Sequence, residues 1–266
     1  MTTRGRRFRS LPPVRAGAQQ AAPARRPRGR SVLLLLALIA TLAASGEGTF
    51  AAELASAAGV RPHQDLARLL SSHEAFSKPD RDSRAIQLVE AKRPLTGEQT
   101  VLPVLGELTG ASGMRWLRVM LPGRPNGHTG WISRRETVPS STSWHIVVDT
   151  STRRVTVYRS GRPFRVVEAI VGKPSTPTPH GQFFVEEAVQ LTASDVGAPF
   201  ALALSARSDV LRTFDGGPGQ IALHGLENVG GTLGTAVSHG CVRLSDAMMR
   251  WLVERIGPGV PVTIEG

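Results

Sequence analysis

From Pro94 to the end of the chain, apolar residues come in short runs that Gly and Pro repeatedly cut off, and this punctuation limits the fold more than any other feature. With 28 Gly and 19 Pro in 266 residues, few stretches can bury a long helix, whereas strands of about four to eight residues fit between the breaks. Thr100–Val104, Met114–Leu121 and Thr129–Ile132 read as strands of a small all-β unit over residues 94–140. Within the second run, Trp116, Arg118 and Met120 face one way and Arg115, Leu117, Val119 and Leu121 the other. Trp116 and Trp131 are expected to fill the core of so small a unit rather than line a groove. Pro139–Ser143 is polar and turn-forming, as a linker is. Beyond it, Ile146–Val148 and Val155–Val157 flank a turn, and strands follow at Phe164–Val171, Gln182–Val185, Phe200–Ser205, Gln220–Leu223 and Pro261–Ile264. One stretch in this part has a helical stripe: Ala247, Met248, Trp251, Leu252 and Ile256, with Ser245 placed to cap it and Gly257-Pro258 to end it. The fold class is therefore mainly β with one helix. Residues 51–93 read as a linker or helical segment, with helices around Gln64–Leu70 and Ser83–Ala91, and with His63 and His73 on the surface.

Charge is unevenly spread. Residues 1–46 hold nine Arg and no acidic residue, whereas the other 23 basic residues face 21 acidic ones. The high pI thus belongs to a tail, and the body has neither a basic helix nor clustered aromatics, which argues against nucleic-acid binding. After the Arg-rich start, Val32–Ala44 is uncharged and is followed by small and polar residues, the layout of an export signal. Residues 1–50 are read as a signal peptide or an uncleaved signal anchor, with any membrane contact confined to 32–44. The positive flank would stay in the cytoplasm and the rest would be exported.

The chain has one cysteine, Cys241, within Ser238-His239-Gly240-Cys241-Val242-Arg243-Leu244. It cannot form an intrachain disulfide, and cationic neighbours with turn N–H groups favour a reactive thiolate. A catalytic thiol needs a base, a group that orients the base, and oxyanion donors. Two histidines qualify as the base. His224, 17 positions upstream, ends the β-type run Gln220–Leu223 and is followed by Gly225, a rigid yet open place; His239 is the alternative. Gly240 allows a substrate to approach, and the N–H groups of Gly240 and Cys241 are the expected oxyanion donors. Arg243 either clamps a carboxylate or serves in an ion pair. The spacing of His224, His239, Cys241 and His180 fits no common zinc pattern, so no metal is expected.

Ile221-Ala222-Leu223-His224-Gly225 together with Ser238–Leu244 resembles the signature of the L,D-transpeptidases, whose catalytic domain is of the YkuD type. Thr178-Pro179-His180-Gly181-Gln182-Phe183 is similar to the family's Thr-Pro-x-Gly segment. The resemblance covers residues 144–266, and the unit before it resembles a bacterial SH3-like barrel. It implies a YkuD-type β-sandwich acting on peptidoglycan stem peptides in the cell wall or periplasm, without a cofactor. Cys241 would form a thioester with the stem at position three, release D-Ala, and pass the donor to an amine of a second stem as a 3→3 cross-link. Water in place of the amine would give an L,D-carboxypeptidase, and carbapenems acylate the same thiol in the family. Ser238 and Gly225 belong to the site in this reading. Several members carry Ser where this chain has Gly225, so a backbone carbonyl would have to orient His224. A sortase also uses Cys, His and Arg but with a longer His-to-Cys interval, and a wall-binding protein that has lost activity is the non-enzymatic alternative.

Overall fold

The computed structural model describes residues 59–214 and 216–266. The Arg-rich start and the apolar run 32–44 lie outside them, and no helix among the described residues is long and apolar enough to cross a membrane.

The first half is a seven-stranded antiparallel sheet made of β1 (Gln64–Leu69), β2 (His73–Phe76), β3 (Ala85–Val89), β4 (Val101–Thr109), β5 (Arg115–Met120), β6 (Thr129–Ser133) and β7 (Thr137–Thr142), in the order β3-β2-β6-β5-β4-β1-β7. The strands expected around 100–104, 114–121 and 129–132 are β4, β5 and β6. The helices expected at 64–70 and 83–91 are instead strands β1 and β3. Leu66, Ala67 and Leu69 are buried from β1, and pairing with β4 and β7 on its two sides decides its conformation. The polar run 139–143, expected to be a linker, is mostly strand β7, paired with β1 from Thr137 to Thr142. Trp116 is fully buried, as a core residue. His73 is buried too, against expectation, because the Ser71 and Arg135 carbonyls lie 2.8 Å from its two ring nitrogens; His63 is exposed.

The second half comprises β8 (Trp144–Asp149), β9 (Arg154–Arg159), β10 (Arg162–Glu168), β11 (Val171–Gly172), β12 (Gly181–Gln190), β13 (Phe200–Arg207), β14 (Gln220–His224), β15 (Ala236–Ser238), β16 (Val242–Arg243), helix α1 (Asp246–Val253) and β17 (Pro261–Glu265). Eight of these strands form one sheet in the order β10-β9-β8-β17-β12-β13-β14-β16. Ser245 caps α1 by accepting from Met248 N–H, and Met248, Met249 and Leu252 are the residues it buries. Ala247, expected on the buried stripe, is exposed. The helix sits on a core that includes Leu202, Leu204, Ile221, Leu223, Val242 and Leu244. This packing seats β14 and β16, which carry the candidate chemistry, on a rigid floor.

Candidate active site

β14 and β16 run parallel, with Leu223 beside Val242 and His224 beside Arg243. Side chains alternate across a sheet, and burial alternates with them here. Ile221, Leu223, Val242 and Leu244 are buried in the core, whereas Ala222, His224, Cys241 and Arg243 are half-buried. The sheet therefore brings His224, Cys241 and Arg243 onto one outward face, joining residues that are 17 positions apart in the chain.

His224 is oriented by its own neighbour: Nδ1 lies 2.8 Å from the Gly225 carbonyl. A carbonyl only accepts, so Nδ1 carries the proton and Nε2 keeps its lone pair. That carbonyl is the backbone contact required by the lack of a serine. The glycine itself follows from space, since a Cβ at 225 would lie 2.1 Å from the Ala198 carbonyl oxygen and 2.7 Å from Asp246 Oδ1. Gly197 is equally constrained, because a Cβ there would lie 2.3 Å from His224 Nδ1. Hydrogen bonds lock these segments together: Gly225 N–H to the Gly197 carbonyl at 2.8 Å, Gly197 N–H to the Glu227 carbonyl at 2.8 Å, and Leu226 N–H to Asp246 Oδ1 at 2.6 Å.

The loop before Cys241 is held as firmly. Ser238 is buried, and its hydroxyl donates to the Cys241 carbonyl at 2.6 Å while accepting from Gly240 N–H at 3.1 Å. Gly240 N–H is thus committed inside the loop, which corrects its expected role as a free oxyanion donor. Gly240 has a φ of 122°, a conformation that suits glycine, and a Cβ there would press on Ile221 at 3.0 Å. From the other side, Thr178 Oγ1 donates to the Gly240 carbonyl at 2.9 Å and accepts from Gly172 N–H at 2.9 Å. Thr176 Oγ1 and Lys173 N–H both reach the Ser238 carbonyl, at 3.3 and 3.0 Å.

His239 stands differently from His224. It is exposed, stacks on Phe214 with ring centroids 5.8 Å apart, and has Lys173 Nζ 3.4 Å from Nε2. An ammonium can only donate, so this contact occupies the lone pair that a base would use. Arg243 makes no ion pair among the described residues. Its one side-chain hydrogen bond is from Nη1 to the Gly230 carbonyl at 3.3 Å, and its buried Nε has no partner. This leaves the guanidinium with donors to spare beside Cys241 and sets aside the ion-pair reading.

The electrostatics favour a neutral resting pair. Burial pushes the Cys241 thiol up, against the opposing pull of the Ala222 backbone hydrogen bond and the Arg243 cation. Burial holds His224 below its ordinary value; the Gly225 hydrogen bond works against this and the Arg243 charge adds to it. Burial likewise lowers Arg243, with Cys241 opposing. The resting thiol points its weak donor at the Gln220 carbonyl, with sulfur and oxygen 4.0 Å apart. A Cys241 thiolate and a His224 imidazolium are therefore both disfavoured in the resting site.

Residues 143–264 match the family model of the YkuD-type L,D-transpeptidase catalytic domain. This segment belongs to the YkuD family. The chain is 30% identical over 132 residues to L,D-transpeptidase 1 of Mycobacterium tuberculosis, an alignment covering 45% of this chain and 49% of that protein. The chain thus spans about half the length of the relative it matches. Among solved structures it is similar to an L,D-transpeptidase from Mycobacterium smegmatis, with a TM-score of 0.37 and 20% identity over 63% of this chain and 91% of that one. It is also similar to L,D-transpeptidase 3 of M. tuberculosis in complex with a faropenem-derived adduct, with a TM-score of 0.41 and 16% identity over the same shares.

The YkuD domain adds residues that sequence reasoning did not single out for the site. Gly197, Ala198, Asp246, Thr176 and Thr178 touch no reacting atom, but they fix the backbones on either side of His224 and Cys241. The Thr-Pro-x-Gly motif was the one available signal, and it pointed at Thr178. Gly197 and Asp246 lie 44 and 5 positions from Cys241 with nothing local to mark them.

Proposed function

We propose that this protein is an exported peptidoglycan L,D-transpeptidase working through a thioester on Cys241. The observation that carries the proposal is the His224 tautomer: Nδ1–H is spent on the Gly225 carbonyl, leaving Nε2 as proton acceptor on the face shared with Cys241. Nε2 takes the thiol proton as sulfur attacks the carbonyl at stem position three, and the Cys241 N–H faces the developing oxyanion. The imidazolium returns its proton to the amine of D-Ala, which leaves, and the donor stays as a thioester. An amine of a second stem then gives its proton to His224, attacks the thioester, and releases the thiolate with a 3→3 cross-link. Arg243, with donors free, takes a stem carboxylate; Ser238 and Gly225 act through the backbone. His239 serves outside the proton path.

In this reading residues 1–50 export or anchor the chain, the amino-terminal β unit precedes the catalytic domain at 144–266, and the work is done in the cell wall or periplasm. Membrane contact is limited to 32–44. Intact-mass measurement after incubation with a tetrapeptide stem or a carbapenem tests the chemistry. The expected result is a tripeptide acyl or ring-opened β-lactam adduct that disappears in Cys241→Ala. A wild-type protein that binds the stem but never gains mass would be a wall binder, and free tripeptide without a cross-link would assign water as the acceptor.

A further inference from the structure

Directly beside the nucleophile, the eight-stranded sheet is irregular in two adjacent places. Between β12 and β13 the register passes from Val185 opposite Leu204 to Glu187 opposite Ala203, which leaves Glu186 as an extra residue. Between β13 and β14 it passes from Ala203 opposite Ala222 to Arg207 opposite Gln220, which leaves two extra residues on β13. Bulges expose backbone groups that the ladder no longer pairs. Here a polar plug pairs them. Arg207 Nη1 donates to the Leu204 and Ala206 carbonyls at 2.8 and 3.1 Å, and Gln220 Nε2 donates to the Leu204 carbonyl at 3.0 Å.

The plug closes on Glu186, whose side chain is fully buried. Its two oxygens accept from Arg207 Nη2 at 3.1 Å, from Gln220 Nε2 at 3.3 Å, and from Arg93. Arg93 comes from the first half of the chain, outside its strands. It sits in the β3–β4 turn, which closes through Arg93 N–H to the Glu98 carbonyl and docks by Leu95 N–H, Thr96 N–H and Thr96 Oγ1 on Glu187. A carboxylate this deep is costly without full pairing, and two guanidiniums, Arg93 from the β3–β4 connection and Arg207 from β13, supply the pairing. Gln220 then joins the plug to the chemistry, because the residue whose side chain binds Glu186 is the one whose carbonyl receives the Cys241 thiol.

We propose that Arg93 is a positioning residue for the nucleophile: by completing the Glu186–Arg207–Gln220 plug, the amino-terminal half of the chain fixes the start of β14 at Gln220, against which the Cys241 thiol rests. This deepens the reading of Cys241 as nucleophile and rests on it. The same plug makes Gln220 the direct link, so its side chain and that of Arg93 should act on the thiol in the same sense.

The test uses the full chain as wild type, Arg93→Gln, Arg93→Lys, Gln220→Met, and Arg115→Gln as a control at an ion pair of the first sheet away from the plug. Three quantities are read: the rate of Cys241 alkylation by iodoacetamide together with its pH midpoint, the rate of carbapenem acylation, and the thermal midpoint. Arg93→Gln and Gln220→Met should change both rates by roughly 3- to 30-fold, below the ~100-fold that a 1 Å misplacement can cost, and should shift the alkylation midpoint. Arg93→Lys should recover part of the rate, and Arg115→Gln should match wild type. If Arg93→Gln does not fold, Gln220→Met decides the matter by the same readouts. The proposal is overturned if the plug variants lower only the thermal midpoint while both rates and the pH midpoint stay within twofold of wild type. Because alkylation needs no cell-wall substrate, a wild type inert to carbapenem but with an alkylation midpoint that moves in Arg93→Gln would sink the transpeptidase reading and leave the positioning role standing.

Discussion

Adding a single methyl group at Gly225 is the sharpest test of how the His224 ring, the proposed base, is held. In Gly225→Ala the new Cβ would lie 2.1 Å from the Ala198 oxygen, 2.9 Å from the Ala198 carbonyl carbon and 2.7 Å from Asp246 Oδ1. Carbon and oxygen in close contact normally keep about 3.3 Å, so the overlap with the Ala198 oxygen is about 1.2 Å. That oxygen is backbone and cannot swing aside, and the Asp246 oxygen is engaged with Leu226 N–H at 2.6 Å. Relief must come from residues 197–198, where not even a Cβ at 197 would fit beside the His224 ring, or from residue 225, whose carbonyl holds Nδ1. Either way the imidazole moves by an amount of order 1 Å, and displacements of that size cost roughly 100-fold in rate. Overpacking should also lower stability by about 1–3 kcal/mol. Carbapenem acylation followed by mass, tetrapeptide turnover and thermal melting measure the three effects. Gly106→Ala is the control, since a Cβ there meets nothing within 4 Å. Acylation by Gly225→Ala within threefold of wild type would refute the claim that this glycine sets the base.

The two histidines can be separated by acylation kinetics. His224→Ala should lose about 10²- to 10⁴-fold, the usual worth of a general base, and His239→Ala should stay within an order of magnitude; the opposite ranking would move the base to His239. Thr178→Val should destabilise the fold by about 1–3 kcal/mol in denaturant titration, because Gly172 N–H and the Gly240 carbonyl would lose a buried partner; an unchanged midpoint would show that the loop holds without it. His145 is buried against Thr263 Oγ1, and burial lowers it from 6.5 to about 4. A depressed base stabilises the fold fully above its unfolded value of 6.5 and loses that contribution as pH falls through the folded value. Urea unfolding should therefore lose about 3 kcal/mol between pH 7 and pH 4 relative to His145→Gln, and parallel pH profiles for the two proteins would contradict it.

The parts of the structure that were legible in the sequence were those written locally. Alternation gave the strands after Pro94, a capped stripe gave the helix, and His224 and Cys241 stood out as a histidine at a strand end and a lone thiol at a glycine turn, which the sheet brings onto one face. β1 was not legible, since Leu66, Leu69 and Leu70 repeat as they would on a helix and only pairing with β4 and β7 makes them a strand. His73 looked like a surface residue because both of its partners are backbone carbonyls, one of them 62 positions away. Gly240 looked like an oxyanion donor because nothing in Ser238-His239-Gly240 says that the serine hydroxyl turns back on its N–H. Arg93, Glu186 and Arg207 each look like ordinary surface charges, and only two coincident bulges bring them into one buried cluster.

The segment expected to be a turn-forming linker ends as strand β7 at Thr142, and β8 begins at Trp144. Ser143 alone lies between them, and its carbonyl is itself held by Ser160 N–H at 2.7 Å. The two sheets therefore have no hinge to absorb a pull. Tension applied to the first sheet passes through β7 into β8 and its neighbour β17 as it would along one beam. A load on either sheet would therefore reach the other across Ser143 alone.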